Sequence, residues 1–104
     1  MRKLAYLLVP FLFLAGPVLA DVSKDPKVAQ AMAAAEAAIE KAKSVNNIWR
    51  DTEKFYSQAQ EAAKKGEREK ALSLAEKARQ EGVMAYEQAL SERRVFEQLK
   101  AASR

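Results

Sequence analysis

Apolar residues recur every three or four positions along the chain in two long stretches, which meet at Gly66. The first stretch carries one continuous stripe of mostly apolar residues: Val28, Met32, Ala35, Ile39, Ala42, Val45, Trp49, Thr52, Tyr56, Ala59 and Ala63. Because spacings of three and four place side chains on one face of an α-helix, this stretch predicts a long amphipathic helix. Pro26 suits the first turn of that helix, where its missing N–H removes no hydrogen bond.

The second stretch begins just after Gly66 and repeats the helical spacing almost to the C-terminus. Its stripe comprises Ala71, Leu74, Ala75, Ala78, Gly82, Ala85, Tyr86, Ala89, Phe96 and Leu99. Lys64 and Lys65 directly precede Gly66, and this order is typical of a helix C-terminus: cations favour the negative end of the helix dipole, and glycine accepts a left-handed conformation. The pattern therefore predicts an all-α fold, a long antiparallel helical hairpin that turns at Gly66.

A three-helix arrangement is the alternative, and it depends on residues 44–47, which read Ser-Val-Asn-Asn. These are the weakest helix formers of the first stretch, so the helix could break there. We favour a continuous first helix because the apolar stripe persists through this patch. No glycine or proline occurs from Lys27 to Lys65.

Folding the chain at Gly66 sets the register of the predicted hairpin. Ile39 then lies opposite Val95 or Phe96, and Trp49 lies opposite Gly82 or Ala85. We interpret Gly82 as leaving room for the indole of Trp49; the alternative is a simple weak point in the helix, which costs about 1 kcal/mol relative to alanine. Since one seam between two helices buries little apolar surface, we expect a hairpin of this length to be weakly stable or to form a homodimer.

Residues 1–20 have the pattern of a secretory signal peptide. Arg2 and Lys3 precede an apolar run from Leu4 to Phe13, and a small residue, Ala20, stands before the expected cleavage site. The run is shorter than the roughly 20 residues that cross a bilayer, so a retained membrane anchor is the less favoured alternative. We expect export by the Sec route to the periplasm, no stable membrane anchor after cleavage, and a single helical domain at residues 21–104.

The net charge of the chain and the residue types that it lacks exclude several classes of function. The chain has 18 basic and 14 acidic residues, and loss of Arg2 and Lys3 with the signal lowers the net charge from +4 to +2. Charges of both signs are interspersed, which argues against nucleic acid as a partner. The chain has no Cys and no His, and therefore no thiolate nucleophile, no Ser-His-Asp triad and no usual zinc site. It also has no C-x-x-C-H motif for covalent haem attachment and no histidine ligand for haem iron. We predict a protein that is not an enzyme and has no cofactor or metal of its own.

An aromatic segment at residues 46–56 stands out in an otherwise alanine-rich chain. It contains the single tryptophan, and Trp, Tyr and Arg are the residue types that anchor protein interfaces. Trp49 and Tyr56 are seven residues apart on the apolar stripe, and we assign both to the core. We assign Arg50, Lys54 and Phe55 to an outward surface that binds a partner.

Several short runs resemble the SoxXA-binding proteins, also called SoxK, of bacterial sulfur-oxidation systems. The resemblance covers residues 30–90, and its most specific element is Trp49-Arg50-Asp51-Thr52. The other runs are Ala33-Ala34-Ala35-Glu36-Ala37-Ala38, Lys65-Gly66, Lys70-Ala71-Leu72, Leu74-Ala75-Glu76-Lys77-Ala78, Gln80-Glu81-Gly82 and Ala85-Tyr86.

The resemblance implies a small periplasmic accessory protein. Such a protein binds SoxXA, the c-type cytochrome that joins thiosulfate oxidatively to a carrier protein, and it raises the activity of that cytochrome. The haem and the redox chemistry would belong to the partner. The alternative from another class is a self-associating helical scaffold or spacer of the cell envelope.

Overall fold

Three α-helices make up the fold in the computed structural model, which describes residues 19–104. They are α1 (Pro26–Ser44), α2 (Thr52–Lys64) and α3 (Arg68–Ala102), and no strand occurs in this part of the chain. The all-α class and the turn at Gly66 are therefore confirmed. The predicted signal peptide lies almost wholly outside the described residues.

The first helical stretch is broken after Ser44, so the chain has the three-helix arrangement and not the continuous helix that we favoured. Asn46 adopts a left-handed conformation with φ of 55°, and the chain stays non-helical until Thr52. Asparagine tolerates this conformation better than most residues, and valine and asparagine are weak helix formers. The local propensity of residues 44–47 therefore prevails over the continuous apolar stripe.

Helices α1 and α2 both pack on α3, with α1 parallel and α2 antiparallel to it. Near the start of α3, Val28 of α1 belongs to a buried cluster with Ala62, Ala63 and Ala71. Farther along, Ala35 of α1 clusters with Ala59, Ala75 and Ala78. Residue numbers thus rise together on α1 and α3 and fall on α2, which defines an up-down-up bundle.

The core of this bundle is built from very small side chains. Ten of the twelve buried hydrophobic residues in the described chain are alanines, so the helices approach one another closely. At Gly82 an added Cβ would lie 2.8 Å from the backbone carbon of Ala38. Gly82 therefore admits the backbone of α1, and the prediction that it accommodates Trp49 is wrong.

Polar contacts stabilise the base of the bundle, which is the end that contains the start of α1 and the turn between α2 and α3. Asp25 caps α1, and its Oδ1 accepts hydrogen bonds from the backbone nitrogens of Lys27 at 2.9 Å and Val28 at 3.4 Å. Its Oδ2 accepts from Nε of Arg68 at 3.1 Å, which joins the start of α1 to the start of α3. At the other turn, Gly66 has φ of 79° and the nitrogen of Glu67 donates to the carbonyl of Ala62 at 2.9 Å, as in a Schellman motif.

Helix α3 continues beyond the bundle as a single helix. Every residue from position 91 to position 104 is exposed, whereas Ala71, Ala75, Ala78 and Ala85 on the same helix are fully buried. We call residues 91–102 the α3 extension; at 1.5 Å per residue it is about 18 Å long. The predicted register, with Ile39 opposite Val95 or Phe96, is wrong in this structure, because Val95 and Phe96 are 51% and 62% exposed and Ile39 is buried.

Candidate partner interface

The loop between α1 and α2 is held against α3 by two side chains of the aromatic segment. Nδ2 of Asn47 donates to the carbonyl oxygen of Ala85 at 2.7 Å. Nε1 of Trp49 donates to Oε1 of Gln88 at 3.2 Å, and the same oxygen is 3.3 Å from Nδ2 of Asn47. These contacts fix residues 47–49 near the point where α3 leaves the bundle.

Trp49 and Tyr56 lie at the surface of the core and not within it, which corrects the sequence assignment. Both side chains are half-buried. Tyr56 packs on the cluster around Ala35 and donates through its hydroxyl to Oε2 of Glu36 at 3.2 Å. Partial burial, together with the nearby Glu36 carboxylate, raises the pKa of Tyr56. An indole and a phenol ring are therefore still partly available to a partner.

Thr52 is the one buried polar residue in the described chain, and neither its burial nor its partner was predicted from the sequence. Its side chain is fully buried at the start of α2, and Oγ1 donates to Oε1 of Glu81 at 3.0 Å. The available signal was its place on the apolar stripe, where a polar residue needs a hydrogen-bond partner. Through this bond Thr52 fixes the start of α2, and with it Arg50 and Lys54, relative to α3.

The three predicted contact residues differ in exposure. Arg50 and Lys54 are exposed, and neither makes an ion pair within residues 19–104. Phe55 is half-buried; it packs on the cluster around Ala59, and Nζ of Lys77 lies 4.4 Å from the centroid of its ring. That distance is a cation–π contact, so Phe55 is partly covered by a flexible side chain that a partner could displace.

The same face of α3 carries a further apolar residue. Lys77 covers Phe55 and Gln88 binds Trp49, and Met84 lies seven residues after Lys77 and four before Gln88. These spacings place all three α3 residues on one side of the helix, where Met84 is 50% exposed. We call the surface formed by Trp49, Phe55, Lys77, Met84 and Gln88 the aromatic face; Arg50 and Lys54 flank it in sequence.

No group of three or more His, Cys, Asp or Glu side chains within residues 19–104 is arranged to hold a metal ion. None of the three helices is long and apolar enough to cross a membrane. The polar groups on the aromatic face serve to position its rings.

Comparison with known proteins adds no relative. No family model, no curated protein and no solved structure matches the chain. Functional inference therefore depends on the sequence and on the surfaces of the fold.

Proposed function

We propose that this protein is a periplasmic accessory protein that binds a SoxXA-type c-type cytochrome and stimulates it in thiosulfate oxidation. The observation that carries the proposal is the aromatic face, where Trp49 and Phe55 lie half-buried beside the exposed side chains of Arg50 and Lys54. Half-buried rings flanked by mobile cations are the composition expected at the centre and rim of a protein interface. The run Trp49-Arg50-Asp51-Thr52, which gives the resemblance to the SoxXA-binding proteins, is at the edge of this face.

The roles of the contact residues follow from their burial. Arg50 and Lys54 are exposed, so they act at the rim by attracting an acidic partner surface and raising the association rate. Phe55 and Trp49 supply apolar area, and burial of that area slows dissociation. Catalysis and haem remain with the cytochrome.

The test is titration of the purified protein into a SoxXA-type cytochrome, with binding measured by calorimetry and thiosulfate-dependent turnover measured in parallel. We expect binding and a higher rate, and no haem absorbance or turnover from the protein alone. Arg50→Ala and Lys54→Ala should weaken binding more at low salt than at high salt, because salt screens rim charges. Phe55→Ala should weaken it at both salt concentrations without loss of helicity.

Lys70→Ala is the matched control for the lysine variant. Lys70 is an exposed lysine in the first turn of α3, beside the turn at Gly66 and about 10 Å along the helix axis before Lys77. Its removal should leave cytochrome binding unchanged at every salt concentration. Absence of both binding and rate change at micromolar protein would refute the accessory function.

A self-associating envelope scaffold is the second candidate function. The observation that favours it is the α3 extension, whose large apolar side chains are exposed outside the bundle. A scaffold predicts oligomers and no effect on the cytochrome. The titration above separates the two functions.

A further inference from the structure

The α3 extension continues the same apolar stripe that is buried inside the bundle. The stripe steps by four and three through Ala71, Ala75, Ala78, Gly82, Ala85, Ala89, Glu92, Phe96 and Leu99, and the charged Glu92 is its one polar position. Residues up to Ala89 are buried or half-buried, whereas Phe96 and Leu99 are 62% and 66% exposed. A strict 3.5-residue repeat is the pattern of a helix that pairs with another helix along its whole length.

The residues that α1 and α2 bury fall on one common stripe as well. Val28, Ala35, Ala38 and Ala42 of α1 and Thr52, Ala59 and Ala63 of α2 are all buried. Val45 and Trp49 of the loop occupy the missing steps, so the whole series steps by multiples of 3.5 residues. If residues 45–51 were helical, α1 and α2 would form one straight helix with this stripe on one face, and the buried Ile39 and Ala62 would lie next to the stripe.

That straight helix would cover the α3 extension. In the structure α2 runs antiparallel to α3, with Ala63 and Ala71 in one cluster and Thr52 bonded to Glu81. If α1 continued α2 as one helix at the same register, Ala42 would lie beside Glu92 and Ala35 beside Leu99. Ile39 would lie beside Val95 and Phe96. A helix from Pro26 to Lys64 is about 58 Å long and α3 about 52 Å, so the lengths match.

We propose that two copies of the chain assemble into a four-helix bundle in which residues 45–51 are helical and α1 of each copy covers its own α3 extension. On its other side, each α1 packs on α2 and the first half of α3 of the second copy, where it replaces that copy's own α1. This is a domain swap, which re-forms contacts already present in the monomer. The gain is burial of Val95, Phe96 and Leu99, which the monomer leaves exposed.

The bonds of the loop oppose this change and hold the chain as a monomer. Straightening breaks the hydrogen bonds from Asn47 to Ala85 and from Trp49 to Gln88, and it removes the left-handed conformation of Asn46. Because two chains combine, the dimer is favoured as protein concentration rises. The proposal concerns the α3 extension and does not rest on cytochrome binding, although straightening would also move Trp49 out of the aromatic face.

The first test is molar mass by light scattering over a range of concentrations. We expect a reversible monomer–dimer equilibrium, which Phe96→Glu and Leu99→Glu weaken at least about tenfold, since each places a charge in the new seam. Both residues are exposed in the monomer, so its fold should be retained. A chain that stays monomeric at all concentrations overturns the proposal. Binding to anionic lipid vesicles is measured in parallel. If Phe96→Glu weakens only that binding and leaves the molar mass unchanged, the proposal is also overturned.

The second test blocks the straight helix without disturbing the loop. The nitrogen of Thr52 donates to the carbonyl of Trp49, so Arg50 is the second residue of a four-residue turn, a position that favours proline. Arg50→Pro should therefore preserve the monomer and abolish the dimer, because proline disrupts a helix interior. Arg50→Ala is its matched control and should still dimerise; equal dimerisation of both variants overturns the proposal.

The third test is a distance within one chain. The protein has no cysteine, so Glu40→Cys with Glu97→Cys allows spin labelling, with unlabelled protein in excess. In the bundle Ala38 lies beside Gly82, which separates the two labels by about 20 Å along the helix axis. In the swapped dimer that separation falls to about 5 Å. A dimer that keeps the long distance would contradict the straightening of residues 45–51.

Discussion

The two parts of α3 have the same helical repeat but differ in side-chain size and in environment. Within the bundle the stripe consists of alanines and Gly82, and these residues are almost completely buried. In the α3 extension the stripe includes Phe96 and Leu99, which are mostly exposed. The amount of apolar area in a stripe therefore does not decide which part of α3 is covered.

The difference follows from how closely the helices approach. A Cβ at Gly82 would meet Ala38 at 2.8 to 2.9 Å, so α1 and α3 are almost in backbone contact. Packing at such short range favours small side chains and makes any enlargement costly. The α3 extension has no neighbour among the described residues, so large side chains occur there without a steric cost.

The largest effect that we predict comes from enlarging Gly82. Gly82→Leu should destabilise the protein by about 3 kcal/mol, because the backbone of Ala38 must move to admit the side chain. Phe96→Ala on the same stripe should change the stability of the monomer by less than about 0.5 kcal/mol. Urea denaturation of dilute protein measures both. Similar costs at the two sites would show that the two parts of α3 are equally packed.

Thr52 tests the polar contact that joins the start of α2 to the bundle. Thr52→Val keeps the shape of the side chain and removes the hydroxyl, so Glu81 loses its buried donor. We expect a loss of about 1–2 kcal/mol in the free energy of unfolding. A double-mutant cycle with Glu81→Ala should give a coupling of about 1 kcal/mol. Independent effects of the two substitutions would argue against the bond.

Substitutions at Trp49 test whether its side chain lies at the edge of the bundle or within the core. Trp49→Phe removes the bond to Gln88 and should cost about 1 kcal/mol, less than the 3–5 kcal/mol typical of truncating a large core side chain to alanine. Because the indole is half-buried, its fluorescence should be only partly protected from acrylamide. Gln88→Ala should reproduce the stability change. Strongly blue-shifted, fully protected emission would place Trp49 in the core.

The smallest effect concerns pH and the base of the bundle. The hydrogen bond from Arg68 lowers the pKa of Asp25 from its ordinary value of 3.8. The stabilisation by the Asp25 carboxylate is thus fully present above that value and is lost as the pH falls through the lowered pKa. Asp25→Asn should therefore be less stable than the parent protein at pH 6, and the difference should disappear in strong acid.

Asp51→Asn is the matched control for this pH effect. Asp51 stands at the N-terminus of α2, where its side chain makes no capping hydrogen bond. Its substitution should reduce the stability at pH 6 by less than Asp25→Asn does, because no hydrogen bond of the side chain is lost. Both comparisons use denaturant unfolding at pH 6 and at pH values below 3.8.

Much of the fold could be read from residue spacing. The turn at Gly66, the start of α1 near Pro26 and the stripe of α3 follow from glycine conformation, helix capping and the period of the helix. The contact residues were only partly predictable, since exposure of Arg50 and Lys54 agrees with their polar character. Coverage of Phe55 by Lys77 depends on how α2 packs against α3, which no local pattern contains.

The sequence by itself determined that the chain is helical, where it turns and which face of each helix is apolar, because these properties depend on residues close together along the chain. Only the tertiary structure decided that α1 folds back beside Gly82, that Thr52 is paired with Glu81, and that Phe96 and Leu99 are exposed. Those outcomes depend on contacts between residues that are far apart along the chain. The break at residues 45–51 allows these contacts, since weak helix propensity and the bonds of Asn47 and Trp49 to α3 keep α1 folded back.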